Sequence, residues 1–201
     1  MTAKVNARTA DHAIESIFLE RWSPRAFTPE IISEGDLLKL VEAARWAPSS
    51  YNSQPWRFIY ARRGTTHWEK LLGLLNEFNR TWAKNAAALL IVVSKQTMVV
   101  PGQDQEMPSH THSFDTGAAW AMLALQAAML GWQAHGMVGF DIPRAATELG
   151  VPTGYRVEAA IAIGKAGDKS LLPPALQMRE MPSSRNPIAA IAFEGAMAES
   201  G

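Results

Sequence analysis

The stretch GAAWAMLALQAAML, Gly117 to Leu130, is the tightest constraint on how this chain folds. Its apolar residues run round the whole helical circumference instead of along one stripe, so every side of the helix needs cover. It is too short to cross a bilayer, and Gln126 lies inside it. Two arrangements supply the cover: burial at the centre of a monomer, or sandwiching between two copies of the chain. The pattern alone favours neither.

A chain of 201 residues, 47% hydrophobic and 19% charged, suits one domain of ordinary globular composition. Nineteen basic residues balance nineteen acidic ones. That leaves no electrostatic footprint for nucleic acid or an anionic membrane, so any arginine-dependent binding is local. With no cysteine, a disulfide framework, thiol catalysis and thiolate metal sites are excluded. The opening MTAKVNARTADHAIES lacks the apolar run of a signal peptide, and a cytoplasmic setting is expected.

Periodicity places the other elements. A first helix is expected from Asp11 as N-cap, with Ile14, Ile17 and Phe18 on one stripe, ending near Trp22 before Pro24. A second is capped by Ser33, carries Leu37, Leu40, Val41 and Ala44 at helical spacing, and stops before Pro48. Residues 66–84 read as one further helix through Trp68, Leu71, Leu72, Leu75 and Phe78. WRFIY (56–60), AALLIVV (87–93), WQAHG and VEAAIAI (157–163) read as strands, and Asp141 caps a brief helix that Gly150 ends. Residues 94–113 show no period and are expected to form a loop or mobile excursion. No repeat or linker divides the chain. Helices and strands interleave without regular βαβ spacing, which predicts an α+β fold.

RWSPRAF (21–27) sets Arg21 and Arg25 either side of Ser23 at a helix end. Two guanidinium forks and a hydroxyl suit a phosphate; a solvated surface turn is the plainer reading. No GxGxxG follows a strand and no P-loop motif occurs, so a phosphate bound here depends on side chains. APSSYNSQPW then crowds Ser49, Ser50, Asn52, Ser53 and Gln54 between Pro48 and Pro55, flanked by Trp46 and Trp56. Aromatics beside amides resemble the walls of a site for a flat, polar-edged ligand, although a solvent-facing loop is polar too.

Taken in order, RWSPRAF, APSSYNSQPWRF, DTGAAWAMLALQAAMLGW, HGMVGFD, VEAAIAIGKAGD and MREMPSSRNPIAAIAFEG resemble the nitroreductase family of FMN-dependent oxidoreductases. The resemblance implies a single FMN-binding domain over residues 1–201. Its fold would be α+β, with a central mixed, largely antiparallel sheet flanked by helices and the long apolar helix at a homodimer interface. It further implies an FMN cleft to which one subunit brings Arg21, Trp22, Ser23, Arg25, Asn79, Val138, Gly139 and Arg185. The other subunit brings Pro48, Ser49, Ser50 and Asn52. Arg21 and Arg185 would take the phosphate, and Arg25 the N1–C2 edge of the flavin, where a cation stabilises the charge of the reduced ring. A backbone N–H of Val138 or Gly139 would face N5. Some relatives carry a carboxylate where this chain has Val138, a difference that removes a charge from the pocket.

The implied activity is ping-pong: NADH or NADPH delivers hydride to N5, and an electron-poor acceptor (a nitroaromatic, quinone or related compound) then takes the electrons. No metal and no general acid or base is implied. A dehalogenase, enone reductase or dehydrogenase on the same scaffold, a non-catalytic flavin-binding protein, and a dimeric scaffold without cofactor are the competing readings. His110 and His112 make a weak His-x-His pair for a metal, with a loop bordering the substrate pocket as the alternative, and His135 lies just before the N5 loop.

Overall fold

The computed structural model describes residues 8–197. In chain order its elements begin with α1 (Ile17–Glu20), α2 (Glu34–Arg45), β1 (Trp56–Arg62), α3 (Trp68–Leu74) and α4 (Glu77–Ala83). β2 (Ala88–Lys95), β3 (Thr97–Val99), β4 (Glu106–Pro108), α5 (His112–Met129) and β5 (Gln133–Met137) follow. α6 (Ile142–Glu148), β6 (Tyr155–Gly164) and α7 (Pro174–Gln177) complete the set.

β1, β2, β6 and β5 form the main sheet in that order, and each neighbouring pair is antiparallel. The implied mixture of directions is therefore absent from the described strands. β2 is apolar on both faces because both are covered. Leu89, Ile91 and Val93 face α3, α4 and α6, among Leu71, Trp82 and Ala145. Ala88, Leu90 and Val92 face α2 and α5, among Leu37, Leu40, Ala119 and Leu123. A bulge interrupts the β2–β6 ladder between Val92 and Val93, leaving Glu158 of β6 out of register.

α2 starts as its sequence requires, with the Ser33 hydroxyl accepting from the Asp36 N–H at 3.0 Å. α5 resolves the opening question by halves. Ala119, Leu123 and Ala127 are fully buried on one side, while Phe114 is 80% and Met129 62% exposed on the other. The chain covers only one face of its most apolar helix.

Three local expectations are corrected. Residues 11–16 are not helical, and α1 is a single turn that buries no side chain, so nothing offsets the cost of nucleating a longer helix. Asp11 instead accepts from the Ile188 N–H at 2.9 Å, at the start of a 3₁₀ turn near the far end of the chain. The helix over 66–84 is two helices. Leu75 leaves the helical path to bridge Phe140, and Asn76 caps α4 by accepting from the Asn79 N–H at 2.9 Å. Residues 94–113 are not a bare loop: β3 and β4 pair as a hairpin, tied by Glu106 to both Lys95 and the Thr97 hydroxyl. Among the described residues no helix is long and apolar enough to cross a membrane.

Candidate functional site

The RWSPRAF turn is pinned at one end to the segment that follows β6. The Thr28 N–H donates to the Lys165 carbonyl at 2.9 Å and the Gly167 N–H to the Ala26 carbonyl at 2.8 Å. The Phe27 ring lies so close over Gly164 that a Cβ there would meet it at 2.5 Å. At its middle the turn is held by Glu180, whose Oε1 accepts from the N–H groups of Arg25 and Ala26, both at 2.8 Å. Glu180 is only 5% exposed; it lies inside the MREMPSSRNPIAAIAFEG segment, but the sequence alone gives it no role. These two backbone donors satisfy one oxygen of the buried side chain.

Beside this turn the Arg25 guanidinium sits 5.9 Å from the Trp82 ring centre. Among the described residues its Nε is buried without a hydrogen-bond partner, and so is Glu180 Oε2. Burial, then Arg179, holds the Arg25 pKa below its usual value, with Glu180 acting in the opposite direction. His135 packs on the other part of Trp82 at 4.7 Å and donates from Nδ1 to the Pro24 carbonyl at 3.0 Å. Burial pushes its pKa down; the Pro24 carbonyl partly offsets this and Arg25 reinforces it.

The HGMVGFD loop is fixed by the helix break described above. The Gly139 carbonyl accepts from the Asn76 N–H at 3.1 Å and from Asn79 Nδ2 at 3.0 Å, and the Asp141 N–H donates to the Leu74 carbonyl at 2.9 Å. A Cβ at residue 139 would meet Asn79 Nδ2 at 2.5 Å and Asn76 Nδ2 at 2.6 Å. Close approach to these two asparagines therefore already demands glycine. Asn79 is 7% exposed, so it is a buried loop-holder and not a solvated helix residue, whereas Val138 is 75% exposed at the loop's tip.

These two segments border one groove of about 640 Å³. Phe18, Arg21 and Ser23 form one wall; Gly136, Met137 and Val138 form another; Trp120, Ala121, Ala124 and Leu125 of α5 form the floor between them. The wall at Arg21 is strongly cationic. Arg21 Nη1 reaches the Ser23 hydroxyl at 3.5 Å, and Arg185 Nη1 donates to the Ser183 hydroxyl at 3.0 Å. Burial, then Arg185, lowers the Arg21 pKa, as expected of like charges brought together. Among the described residues neither Arg21 nor Arg185 forms an ion pair with a carboxylate.

None of Pro48, Ser49, Ser50 or Asn52 lines this groove. Their turn is shaped separately. Tyr51, Asn52 and Gln54 have φ of 50°, 54° and 47°, in the left-handed region that non-glycine residues seldom occupy. The Ser50 N–H donates to buried Asp115 of α5 at 3.1 Å, and the Thr111 hydroxyl donates to the same oxygen at 3.0 Å. The tryptophans flanking the turn do not form matching walls: Trp56 is in the core and Trp46 is 72% exposed. His110 is exposed, while His112 Nδ1 lies 2.8 Å from the Ser94 hydroxyl, which donates to Glu158 at 2.6 Å.

The antiparallel sheet and its helices thus leave an open groove between the arginine-bearing turn and the HGMVGFD loop. The chain belongs to the nitroreductase family, whose model matches residues 18–165. It superposes on the crystal structure of an oxidoreductase containing FMN with a TM-score of 0.93 and 46% identity, covering 97% of this chain and 98% of the other. In sequence it is 34% identical over 148 residues to an "uncharacterized 15.4 kDa protein in ask 5'region" of Mycolicibacterium smegmatis, spanning 69% of this chain and 95% of that protein. It is 26% identical over 175 residues to an NADH dehydrogenase of Thermus thermophilus, spanning 73% and 83% respectively.

Proposed function

We propose that this chain is an FMN-dependent NAD(P)H oxidoreductase that passes electrons to a small electron-poor acceptor, a nitroaromatic, quinone or related compound. The observation that carries the reading is the groove itself, with Arg21 and Ser23 in one wall, Arg185 close enough to Arg21 to lower its pKa, and the exposed Val138 tip in the other wall. Of the expected cofactor residues only Arg21, Ser23 and Val138 line it. The residues suit the cofactor. Arg21 and Arg185 offer guanidinium forks to a phosphate, and Ser23 offers a hydroxyl. Arg25 brings a buried Nε with no partner among the described residues, the kind of donor a ligand oxygen or nitrogen satisfies. Bound FMN supplies two-electron chemistry that no side chain here offers. The protein's part is to hold: Asn76 and Asn79 fix the Gly139 carbonyl next to Val138, which lines the groove, and Trp82 with Glu180 holds Arg25 in the turn that brings Arg21 and Ser23 to it.

The strained 48–54 turn and the bare face of α5 support a homodimer in which Pro48, Ser49, Ser50 and Asn52 complete the partner's groove. An uncovered stripe from Phe114 to Met129 is what a second copy would bury. Trp22 belongs to the same wall as Arg21 in this reading.

Anaerobic mixing tests the proposal. The purified protein should be yellow and should bleach with NADH or NADPH, then recover colour with a nitro, quinone, enone or halogenated acceptor, and the acceptor that recovers it fastest names the reaction. A protein that takes up no FMN, or takes it up and never bleaches, removes the enzyme reading. Arg21→Ala and Arg185→Ala should each weaken FMN retention more than they lower stability.

A further inference from the structure

Arg8 belongs to none of the motifs, yet its side chain enters the cationic wall. Its Nη1 donates to the Arg21 carbonyl at 2.7 Å and to the Leu19 carbonyl at 3.1 Å. Its Nε donates to the Ser183 carbonyl at 2.8 Å, across 175 positions of sequence. Ser183 is also the residue whose hydroxyl receives Arg185 at 3.0 Å. One planar guanidinium therefore joins the end of α1, the Arg21 backbone and the segment that carries Arg185.

We propose that Arg8 is a positioning residue of the cofactor-phosphate pocket, holding Arg21 and the Ser183–Arg185 segment around one anion and so setting the preference for a phosphorylated flavin. The inference rests on the FMN reading above and extends it to a residue outside the family's motifs. Three guanidiniums in one place repel one another. Burial first, then Arg185 and Arg21, lower the Arg8 pKa, so the cluster is held against its own charge. A phosphate group carrying about −1.5 to −2 at neutral pH reverses that balance. The carbonyl contacts make Arg8 more than a source of charge. They use a rigid fork with several donors, which the single ammonium of lysine does not reproduce.

Titration of the flavin-free full-length protein with FMN and with riboflavin, followed by quenching of flavin fluorescence, separates the possibilities. The wild-type protein should bind FMN more tightly than riboflavin. Arg8→Ala should weaken FMN by about tenfold or more, the scale of one charge-assisted hydrogen bond, and leave riboflavin within about twofold. Arg8→Lys should fall between the two and serves in place of Arg8→Ala if that variant does not fold. Equal losses for both flavins, or an unchanged preference in either variant, overturns the assignment. Equal binding of FMN and riboflavin by the wild-type protein overturns the phosphate pocket itself, and the proposal with it.

Discussion

Residues 21–27 and residues 48–54 are both polar turns punctuated by proline, and they are strained in different currencies. The first has ordinary backbone angles but gathers Arg21 and Arg25 beside further arginines, with buried Glu180 holding its amides. The second carries no such charge, yet it bends three non-glycine residues into the left-handed region and leans on buried Asp115. The first lines the groove of its own chain and the second does not. Strain of both kinds tends to collect where a ligand is handled. On the proposed reading an anion relieves the first, and a second copy of the chain gives the second its use.

The largest effect should come from removing the carboxylate of the first turn. Glu180→Ala leaves one buried and one half-buried N–H group without an acceptor and should lower stability by about 3 kcal/mol in chemical denaturation. Asp115→Ala is the matching change for the second turn. It removes the acceptor of one backbone N–H and one hydroxyl, and about 2 kcal/mol is expected by the same measurement. Loss of FMN from Asp115→Ala without a change in dimerisation would tie the strained turn to the cofactor; unchanged retention would cut that tie.

Tyr51→Gly should act in the opposite direction. The ring is 60% exposed, so little packing is lost, and relief of the left-handed angle should raise stability by about 1 kcal/mol in thermal unfolding. A destabilised variant would mean that the turn is not strained.

The effect that vanishes at neutral pH belongs to the first turn. His135 has its pKa lowered on folding by burial, against an unfolded value near about 6.5. The folded state therefore binds fewer protons than the unfolded one, so stability is fully present above that unfolded value and is lost as pH falls through the lowered folded one. His135→Asn, which keeps a donor for the Pro24 carbonyl, should flatten this acid-side decline in denaturation midpoints. A wild-type profile flat from neutral pH down to about 5, or an equally steep one in the variant, would contradict the assignment.

Much of the frame is set by neighbours along the chain. Ser33 and Asp141 cap their helices, AALLIVV is a strand covered on both faces, and the motifs of the groove appear in order from Arg21 to Arg185. Where the local pattern misleads, a distant partner has outbid it. The periodicity of Leu71, Leu72, Leu75 and Phe78 runs straight through residue 76, but pairing of Leu75 with Phe140 breaks the helix there. Asp11 reads as a helix cap and instead serves Ile188.

What the sequence by itself determined is therefore most of the inventory: α2, α5, α6 and the four strands of the main sheet, an apolar helix needing cover, and arginines suited to an anion. Only the tertiary structure decided which groups hold that inventory at the groove. Glu180 lies 155 positions from Arg25, Asp115 65 from Ser50, and Arg8 175 from Ser183. Each acts through a contact of about 3 Å between segments that share no local pattern, and such contacts exist only once the fold has brought the two segments together.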